Sequence, residues 1–363
     1  MIRRIQLTLL ALFVSVLAMA SETCVKNADG VEIWYNFDSS TKTASVTYKG
    51  WSPYSNNDRY IGNVVIPSKV TYEGEEYGVT SIVENAFSRC SSLTSVTIPK
   101  SVTWIGRHAF SGCSSLTSID VALDNNSYTS INGVLFSKDK TILIQYPGDK
   151  KDVTSYAIPE SVTSIEDYAF SGCSSLTSIT LPKGVTEIGN YAFCDCSSLT
   201  SITIPEGVTC IGIYTFRNCS SLTSITLPEG VTEIGGDAFR FCSSLTSITS
   251  MNVTPPLIGD GYTFDGFDKS IPVYVPKQSV EAYKSAKYWK NFTNIQGIDD
   301  TPITDVVADS VSIRLIGNAF IVEGAESYAV YALSGQNLGK VESLERGVYI
   351  VVADGVSKKI VVK

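Results

Sequence analysis

The sequence predicts a mainly β protein, built as a solenoid of 23-residue coils followed by a small antiparallel β-sandwich. The first observation is a repeat: the segment CSSLTSITLPKGVTEIGNYAF from Cys173 recurs with few changes from Cys90, Cys196 and Cys219, with partial copies from Cys113 and Cys242. The second is the alternation of apolar and polar residues after residue 299, which is typical of short strands. A fixed period in this range indicates stacked coils that share one core.

The N-terminus has the pattern of a secretory signal peptide, predicted over residues 1–20. In MIRRIQLTLLALFVSVLAMA two arginines precede an apolar run, which ends in Ala18-Met19-Ala20. The apolar run is short for a membrane span, which needs about 20 residues, although an uncleaved anchor is the alternative. We therefore expect a secreted or cell-surface protein.

The middle of the chain divides into a cap, an array and a second cap. Residues 21–78 contain short β-branched and aromatic runs and are predicted to form an N-terminal β cap. The repeat array is expected over 79–298, with an insert near 120–160 that contains a hairpin turning at Ser137-Lys138-Asp139-Lys140. Its C-terminal cap, 250–298, is predicted to hold a helix from Gln278 to Trp289.

Residues 299–363 are predicted to form a separate domain. An acidic linker that contains proline is followed by alternating runs such as SIRLI, AFIVEG and GVYIVVADG. Short alternating runs separated by turn residues are typical of a small antiparallel β-sandwich.

Alternation within a coil separates core positions from surface positions. The predicted core positions of the first copy are Leu93, Val96, Ile98, Val102, Ile105 and Phe110. Ser95 and Thr97, with their equivalents, are expected to form two columns of hydroxyl groups along one sheet. These columns either present a weak multivalent contact surface or only keep the sheet solvated.

Two positions vary between copies that are otherwise nearly identical, and they are expected to lie on an outward face. We predict that any ligand-contact face includes these positions, which hold Trp104, Arg107, Glu187, Asn190 and Glu233. The alternative is that the variation followed a recent duplication and has no functional meaning.

Six of the nine cysteines occupy one repeat position, so stacking would bring them near each other. We expect a column of buried thiols in preference to disulfide bridges, because equivalent side chains in a stack point the same way. Cys194 and Cys210 fall at variable positions and are expected to be exposed, either paired with each other or as reactive thiols. The spacing gives no zinc motif.

The sequence contains no recognisable catalytic, cofactor or metal site, so we expect a protein that is not an enzyme and needs no cofactor. His108 is the only histidine, and it is predicted to be an exposed surface residue. The segment GDGYTFDGFD is acidic but lacks the spacing of a calcium loop. A net charge of −8 without a basic cluster argues against binding to nucleic acid.

The repeat C-S-S-L-T-S-I-T-[IL]-P-x-G-V-T-x-I-G-x-x-A-F resembles the BspA-like leucine-rich repeats of secreted and surface proteins of Bacteroidetes, over roughly residues 60–298. The resemblance implies a leucine-rich repeat solenoid. The usual asparagine or cysteine position after the strand is Ser101 or Gly184 in this chain. That departure favours a narrow coil with strands on both sides over a horseshoe backed by helices.

The last segment, VYALSGQNL followed by LERGVYIVVADGVSKKIVVK, resembles a C-terminal sorting domain of the type IX secretion system. This resemblance implies contact with the secretion machinery, passage across the outer membrane and then release or attachment at the cell surface. Members of the repeat family have been regarded as adhesins, which implies that extracellular or surface proteins are the partners.

The sequence therefore favours a surface or secreted protein that mediates protein–protein interaction and adhesion. The alternatives are a structural spacer and a glycan-binding surface protein. The glycan alternative depends on aromatic residues that could stack on sugars, namely Trp51, Tyr54, Tyr60, Trp104 and Tyr262.

Overall fold

The computed structural model describes residues 23–48 and 60–298, together with seven strands between 306 and 362. The predictions for residues 1–20, for Trp51 and for Tyr54 fall outside the described residues. The chain is a mainly β solenoid followed by small antiparallel sheets. The predicted fold class is confirmed.

The N-terminal cap is a β-sheet that joins the first coils of the solenoid. Strands β1, β2 and β3 pair in antiparallel order, and β5 and β6 form an antiparallel hairpin. Strand β6 also pairs in parallel with β3 and with the first short strand of the array, so it links the cap to the coils. The strands of this sheet are β1 (Thr23–Lys26), β2 (Glu32–Asp38), β3 (Thr43–Val46), β5 (Lys69–Tyr72) and β6 (Glu75–Ile82). Strand β4 (Ile61–Val65) pairs instead with an array strand, Ser92–Ile98.

Each coil of the array contributes one strand to each of two faces. The strands of the coils, the insert and the C-terminal cap are β7 (Ser92–Ile98), β8 (Trp104–Ile105), β9 (Ser118–Val121), β10 (Tyr128–Ile131), β11 (Val134–Ser137), β12 (Ile142–Gln145), β13 (Ser155–Ala157), β14 (Ser164–Ile165), β15 (Ser178–Thr180), β16 (Glu187–Ile188), β17 (Ser201–Ile202), β18 (Cys210–Ile211), β19 (Ser224–Leu227), β20 (Glu233–Ile234), β21 (Ser247–Ser250), β22 (Leu257–Ile258), β23 (Val273–Pro276) and β24 (Ile295–Ile298).

The first face consists of the strands β4-β7-β9, β13-β15-β17 and β19-β21-β23-β24, and the second face of β6-β8, β12-β14-β16 and β18-β20-β22. Pairing in the array is parallel with a register of one repeat, so Ser178 lies opposite Ser201 and Ile179 opposite Ile202. Equivalent residues of successive coils therefore form columns along both faces.

A ladder of threonine hydroxyl groups adds a second set of bonds along the first face. The hydroxyl group of Thr200 donates to the backbone oxygen of Thr177 at 3.1 Å, and Thr223 donates to Thr200 at 3.2 Å. Thr117, Thr177 and Thr246 make the same bond to the coil before them. A repeated threonine that is not directed into the core thus ties each coil to its neighbour.

The core is filled by stacked phenyl rings, one from each regular coil. Phe193, Phe216 and Phe239 stack with ring centroids 5.3 and 5.4 Å apart, and all three are fully buried. The predicted core residues Leu93, Val96, Ile98, Val102 and Phe110 are buried, and Ile105 packs against the core while partly exposed. The predicted core pattern is confirmed.

The insert divides the hydrophobic core into two clusters, and strand β11 lies between them. Leu135 packs with the N-terminal cluster, which extends from Ile33 to Ile119 along the chain. Val134 and Phe136, its neighbours on the same strand, pack with the C-terminal cluster that continues to Ile295. Because successive residues of a strand point to opposite sides, one strand serves both cores.

Each regular coil reverses direction through two residues in the left-handed backbone conformation. In one coil these are Tyr191, with φ 57°, and Asp195, with φ 60°. Where the second residue of the pair is Gly112 or Gly172, the side chain is absent, which removes the steric cost of this conformation. The repeated S-G-C segments therefore mark the end of the turn.

The C-terminal cap is built from short helices, and Trp289 from this cap packs against Phe264, the last phenyl ring of the stack. The helix α1 (Val280–Ser285) lies between two 3-10 helices, Lys277–Ser279 and Trp289–Asn291. The predicted helix from Gln278 to Trp289 is too long, because the backbone becomes extended at Ala286. Tyr283 and Trp289 are fully buried, and the indole nitrogen of Trp289 donates to the backbone oxygen of Pro256.

The C-terminal region contains two antiparallel sheets. The first is formed by β25 (Val306–Ala308), β26 (Val311–Ile316) and β27 (Ala319–Glu323). The second contains β28 (Tyr328–Ala332), β29 (Asn337–Gly339), β30 (Gly347–Ala353) and β31 (Val356–Val362), in the order β29-β28-β30-β31. The predicted antiparallel arrangement of this region is confirmed.

Candidate functional site

The insert shortens the turn of one coil. We number the coils by the ring at their turn, so that coil 1 carries Phe110, coil 2 Tyr146, coil 3 Phe170, coil 4 Phe193, coil 5 Phe216 and coil 6 Phe239. Leu143 of coil 2 pairs with Ile165 of coil 3. Tyr146 follows Leu143 by three positions, whereas Phe170 follows Ile165 by five. The turn of coil 2 is therefore two residues shorter than the regular turn.

The turns of coils 1 and 3 contact each other across this short turn. The imidazole Nε2 of His108 lies 3.4 Å from the carboxylate Oδ2 of Asp167, although the two residues belong to coils that are not adjacent. The His108 ring also meets the Tyr168 ring edge to face, with centroids 4.8 Å apart. The side chain of His108 is only 27% exposed, so the prediction of an exposed histidine is wrong.

The space next to the shortened turn is a cleft of about 340 Å³, which we call the lateral cleft. A shallower depression of about 310 Å³ adjoins it and shares Arg107, Glu166 and Asp167 with it, while Glu187 lines its far side. The lateral cleft is lined by Trp104, Arg107 and His108 of coil 1, by Tyr128 and Gln145 of the insert, and by Glu166 and Asp167 of coil 3.

Glu166 occupies a position that is glycine in the regular coils. At Gly189 a Cβ atom would lie 2.4 Å from the backbone nitrogen of Asp167, and at Gly235 it would lie 2.6 Å from that of Ile213. At these two positions the backbone of the preceding turn thus leaves no room for a side chain. Coil 3 can carry a glutamate there because the preceding turn is short.

Hydrogen bonds fix the polar groups beneath the cleft. The hydroxyl group of Tyr128 accepts from the backbone nitrogen of Ile105 at 2.9 Å, and burial raises the pKa of this tyrosine. The amide nitrogen of Gln145 is buried and donates to the backbone oxygens of Tyr146 and Ala169. The floor of the cleft is therefore fixed before any ligand arrives.

The charges around the cleft are mainly negative. Partial burial raises the pKa of Glu166, and the neighbouring Asp167 carboxylate raises it further, while Arg107 acts in the opposite direction. Glu187 accepts a hydrogen bond from the hydroxyl group of Ser164 at 3.2 Å and lies on the exposed second face. These carboxylates give the cleft a negative electrostatic potential, and a bound cation would reduce the repulsion between them.

The structure brings together three of the five predicted contact residues. Trp104, which is 52% exposed, lines the lateral cleft, while Arg107 and Glu187 line the adjoining depression. The side-chain oxygen of Asn190 accepts from the backbone nitrogen of Ile213 at 2.8 Å, which gives this residue a structural role. Glu233 is exposed two coils beyond Glu187. A contact role for the five residues stays a prediction.

Sequence reasoning missed Tyr128, Gln145, Glu166 and Asp167 as parts of the site. The signal that could have found them is the replacement of the repeated glycine by Glu166, together with the two missing residues before Tyr146. Both departures point to one place in the stack. Neither was sufficient without knowing that coil 1 and coil 3 contact each other there.

The repeated cysteines form a ladder of buried thiols, as predicted. The thiol groups of Cys113, Cys196, Cys219 and Cys242 donate to the backbone oxygens of Phe87, Phe170, Phe193 and Phe216 at 3.0 to 3.2 Å. All nine cysteines lie within the described residues, and none of them forms a disulfide bridge. Burial raises the pKa of the Cys242 thiol to about 12, so these sulfurs are poor nucleophiles at neutral pH.

The two cysteines at variable positions differ from each other. Cys210 is exposed on strand β18, as predicted. Cys194 is buried, so the prediction of an exposed thiol is wrong for this residue, whose pKa burial raises to about 12.

Within residues 23–48 and 60–298 and the described C-terminal strands, no group of three acidic, cysteine or histidine side chains could hold a metal ion. The same residues include no helix with the length and apolarity to cross a membrane. Asp268, in the acidic segment near the C-terminal cap, accepts hydrogen bonds from Ser270, and these lower its pKa.

The profile of a protein family described as the BspA type leucine rich repeat region matches residues 54–149 and 146–265, with six copies of the repeat. No curated protein matches the sequence significantly.

Several solved structures of bacterial leucine-rich repeat proteins are similar. A leucine rich cell surface protein of Faecalibacterium prausnitzii is 22% identical, with a TM-score of 0.40, over 76% of this chain and 95% of that one. The pneumococcal vaccine antigen PcpA is 18% identical, with a TM-score of 0.43, over 78% and 99% of the two chains. A leucine-rich repeat protein of Eubacterium ventriosum is 18% identical, with a TM-score of 0.40, over 76% and 96%.

Proposed function

The chain belongs to the BspA-type leucine-rich repeat family, and on this basis we propose that it is a non-enzymatic surface or secreted protein that binds other proteins. The observation that carries the proposal is the contrast between its constant and variable positions. The constant residues build the core and the ladders, while Trp104, Arg107 and Glu187 vary and are exposed around the lateral cleft and the depression that adjoins it. A rigid solenoid that presents differing side chains on one side is suited to binding.

The proposed location and partners follow from the sequence patterns at the two ends. The signal-peptide pattern of residues 1–20 supports export, and the resemblance of 299–363 to a sorting domain supports recognition by the secretion machinery of Bacteroidetes. Extracellular or surface proteins of a host or of other bacteria are the proposed partners, with adhesion as the outcome.

The proposal is tested with the purified full chain, which is incubated with extracellular matrix proteins and with partner cells. We expect saturable binding that weakens in a Trp104→Ala variant and persists in a Tyr262→Ala variant, because Tyr262 is equally exposed but lies far along the array. Absence of saturable binding to any partner would support the alternative of a structural spacer.

A glycan-binding function is a second candidate because two of the predicted aromatic platforms, Trp104 and Tyr262, are 52% and 57% exposed. Tyr60, a third, is buried and its hydroxyl group donates to the backbone oxygen of Thr47, so it cannot stack on a sugar. Binding to a glycan array that is lost with Trp104→Ala would favour this candidate over protein binding.

The sorting proposal has its own test. Deletion of residues 299–363 in the native host is expected to leave the protein in the periplasm, and protease treatment of whole cells measures its display. Unchanged display at the surface would contradict the proposal.

A further inference from the structure

The lateral cleft combines an exposed indole with an excess of negative charge. Trp104, Glu166 and Asp167 line the cleft, and the carboxylate of Glu187 lines the adjoining depression. Arg107 is the one fixed positive charge that lines these two spaces. Three carboxylates and one guanidinium leave an excess of two negative charges when His108 is neutral.

We propose that the lateral cleft binds one basic side chain of a protein partner, with arginine preferred to lysine. This inference rests on the proposed protein-binding function and names the chemistry that the partner presents. A guanidinium group can stack on the face of Trp104 while it donates two parallel hydrogen bonds to a carboxylate. A lysine ammonium group supplies the charge but not the planar, two-point contact.

The backbone around the cleft favours recognition through a side chain. Strand β8 pairs with β6 along one edge. The backbone nitrogen of Ile105 is also occupied, because it donates to the hydroxyl group of Tyr128. A partner strand therefore finds no donor at this position for extending the sheet. A volume of about 340 Å³ lies at the small end of ligand pockets, roughly 300–1,000 Å³, and suits a single long side chain.

The carboxylates differ in the hydrogen bonds and charged neighbours that their oxygens already have within the protein. Asp167 accepts from the backbone nitrogen of Asn190 through one oxygen and faces His108 with the other. Glu166 stands in the glycine position, half-buried beside the cleft. Asp167 and Glu187 are its negative neighbours and Arg107 is its positive one, and its pKa is also lowered by a hydrogen bond from the backbone of Asp167. Glu166 is therefore the carboxylate best placed to receive the guanidinium group.

The experiment uses the full chain with labelled isoleucine methyl and tryptophan indole groups, followed by NMR. The probes are N-acetyl-arginine amide, the lysine equivalent, and N-acetyl-citrulline amide, which has the shape of arginine without its charge. We expect saturable shifts at Ile142, Ile144 and the Trp104 indole with the arginine probe. Binding should be several-fold weaker for lysine and at least about tenfold weaker for citrulline.

Three variants locate the binding. Trp104→Ala and Glu166→Gln are each expected to remove the arginine response. Glu206→Gln changes an exposed glutamate of the array that lines neither the cleft nor the adjoining depression, and it should leave the response intact. Signals from the rest of the array report whether each variant is folded.

The inference is overturned if arginine and citrulline bind equally, if the shifts survive both cleft variants, or if no saturable shift occurs. Shifts of the same groups with methyl glucoside alone would assign the cleft to a sugar instead. Partner proteins are tested separately, so an inert cleft with undiminished partner binding overturns only this inference. Arginine binding without any protein partner overturns only the proposed function.

Discussion

Coils 3 to 6 differ from coil 2, which contains the insert, in how their turns pack against the neighbouring coils. In the regular coils the same contacts recur in every repeat, so the ring stack, the thiol ladder and the threonine ladder continue from one coil to the next. In coil 2 the turn is short and carries Tyr146, whose ring stacks on Phe170 at 5.2 Å. Among the described residues no ring contact joins Phe110 to Tyr146.

The difference shows how a repeat protein can acquire a distinct site. In the regular coils the turns are alike, and at Gly189 and Gly235 the backbone of the preceding coil leaves no room for a side chain. One irregular turn interrupts the ring stack, admits Glu166 at the glycine position and lets His108 reach Asp167. The same irregularity divides the core into two clusters at strand β11.

The largest expected effect is in the regular stack. Phe216→Ala removes a fully buried ring between Phe193 and Phe239, and we expect the free energy of unfolding to fall by about 3–5 kcal/mol. Denaturant unfolding of the full chain measures the change. The control is Tyr262→Ala at a 57% exposed position, where we expect less than about 1 kcal/mol. Equal losses would mean that the ring stack is not the main source of stability.

The second prediction concerns the strand that separates the two cores. Leu135→Ala and Phe136→Ala should each cost about 2–5 kcal/mol, but in different halves of the molecule. Native-state hydrogen exchange should be faster in 60–119 for Leu135→Ala and in 158–298 for Phe136→Ala. If both variants open the same half, the two clusters form a single cooperative core.

The third prediction concerns alkaline pH. Burial raises the pKa of the Cys219 thiol well above its ordinary value, so the folded chain keeps it neutral while the unfolded chain ionises it from about pH 8.5. The unfolded state then binds fewer protons, and the free energy of unfolding falls as pH rises past that value. Between pH 8.5 and 9.5 the native chain should lose about 1 kcal/mol more than a Cys219→Ala variant.

Cys210→Ala is the matched variant for the pH experiment, because Cys210 is exposed and its thiol is less desolvated. Its pH dependence should stay close to that of the native chain. A Cys219→Ala variant with the native pH dependence would show that the thiol ionises as easily in the folded state as in the unfolded one.

The smallest expected effect is in the threonine ladder. Thr200→Val removes the hydroxyl group that donates to Thr177 and should cost about 1 kcal/mol, since one net hydrogen bond contributes roughly 0.5–1.5 kcal/mol. Thr203→Val, on the exposed hydroxyl column of the same coil, is the matched control and should be nearly neutral. The difference between their denaturant midpoints measures the contribution of the ladder.

Much of the regular array could be predicted from residues because its contacts repeat with the period of the sequence. Alternation alone assigns Leu93 and Val96 to the core, where both are buried, and stacking predicts the column of buried thiols. The helix of the C-terminal cap was placed correctly but extended too far, since only the local backbone at Ala286 ends it. Cys194 was misplaced because its position varies between coils while its surroundings stay buried.

The sequence by itself determined the coil, its core side and its surface side, because a fixed period places equivalent residues next to each other. It did not determine how the insert packs against the coils on either side of it. Strand β11 packs against two cores, and His108 meets Asp167 at a separation of 59 positions. Contacts of this kind depend on how a non-repeating segment pairs with distant coils, and no local pattern encodes them. Only the tertiary structure therefore placed the lateral cleft.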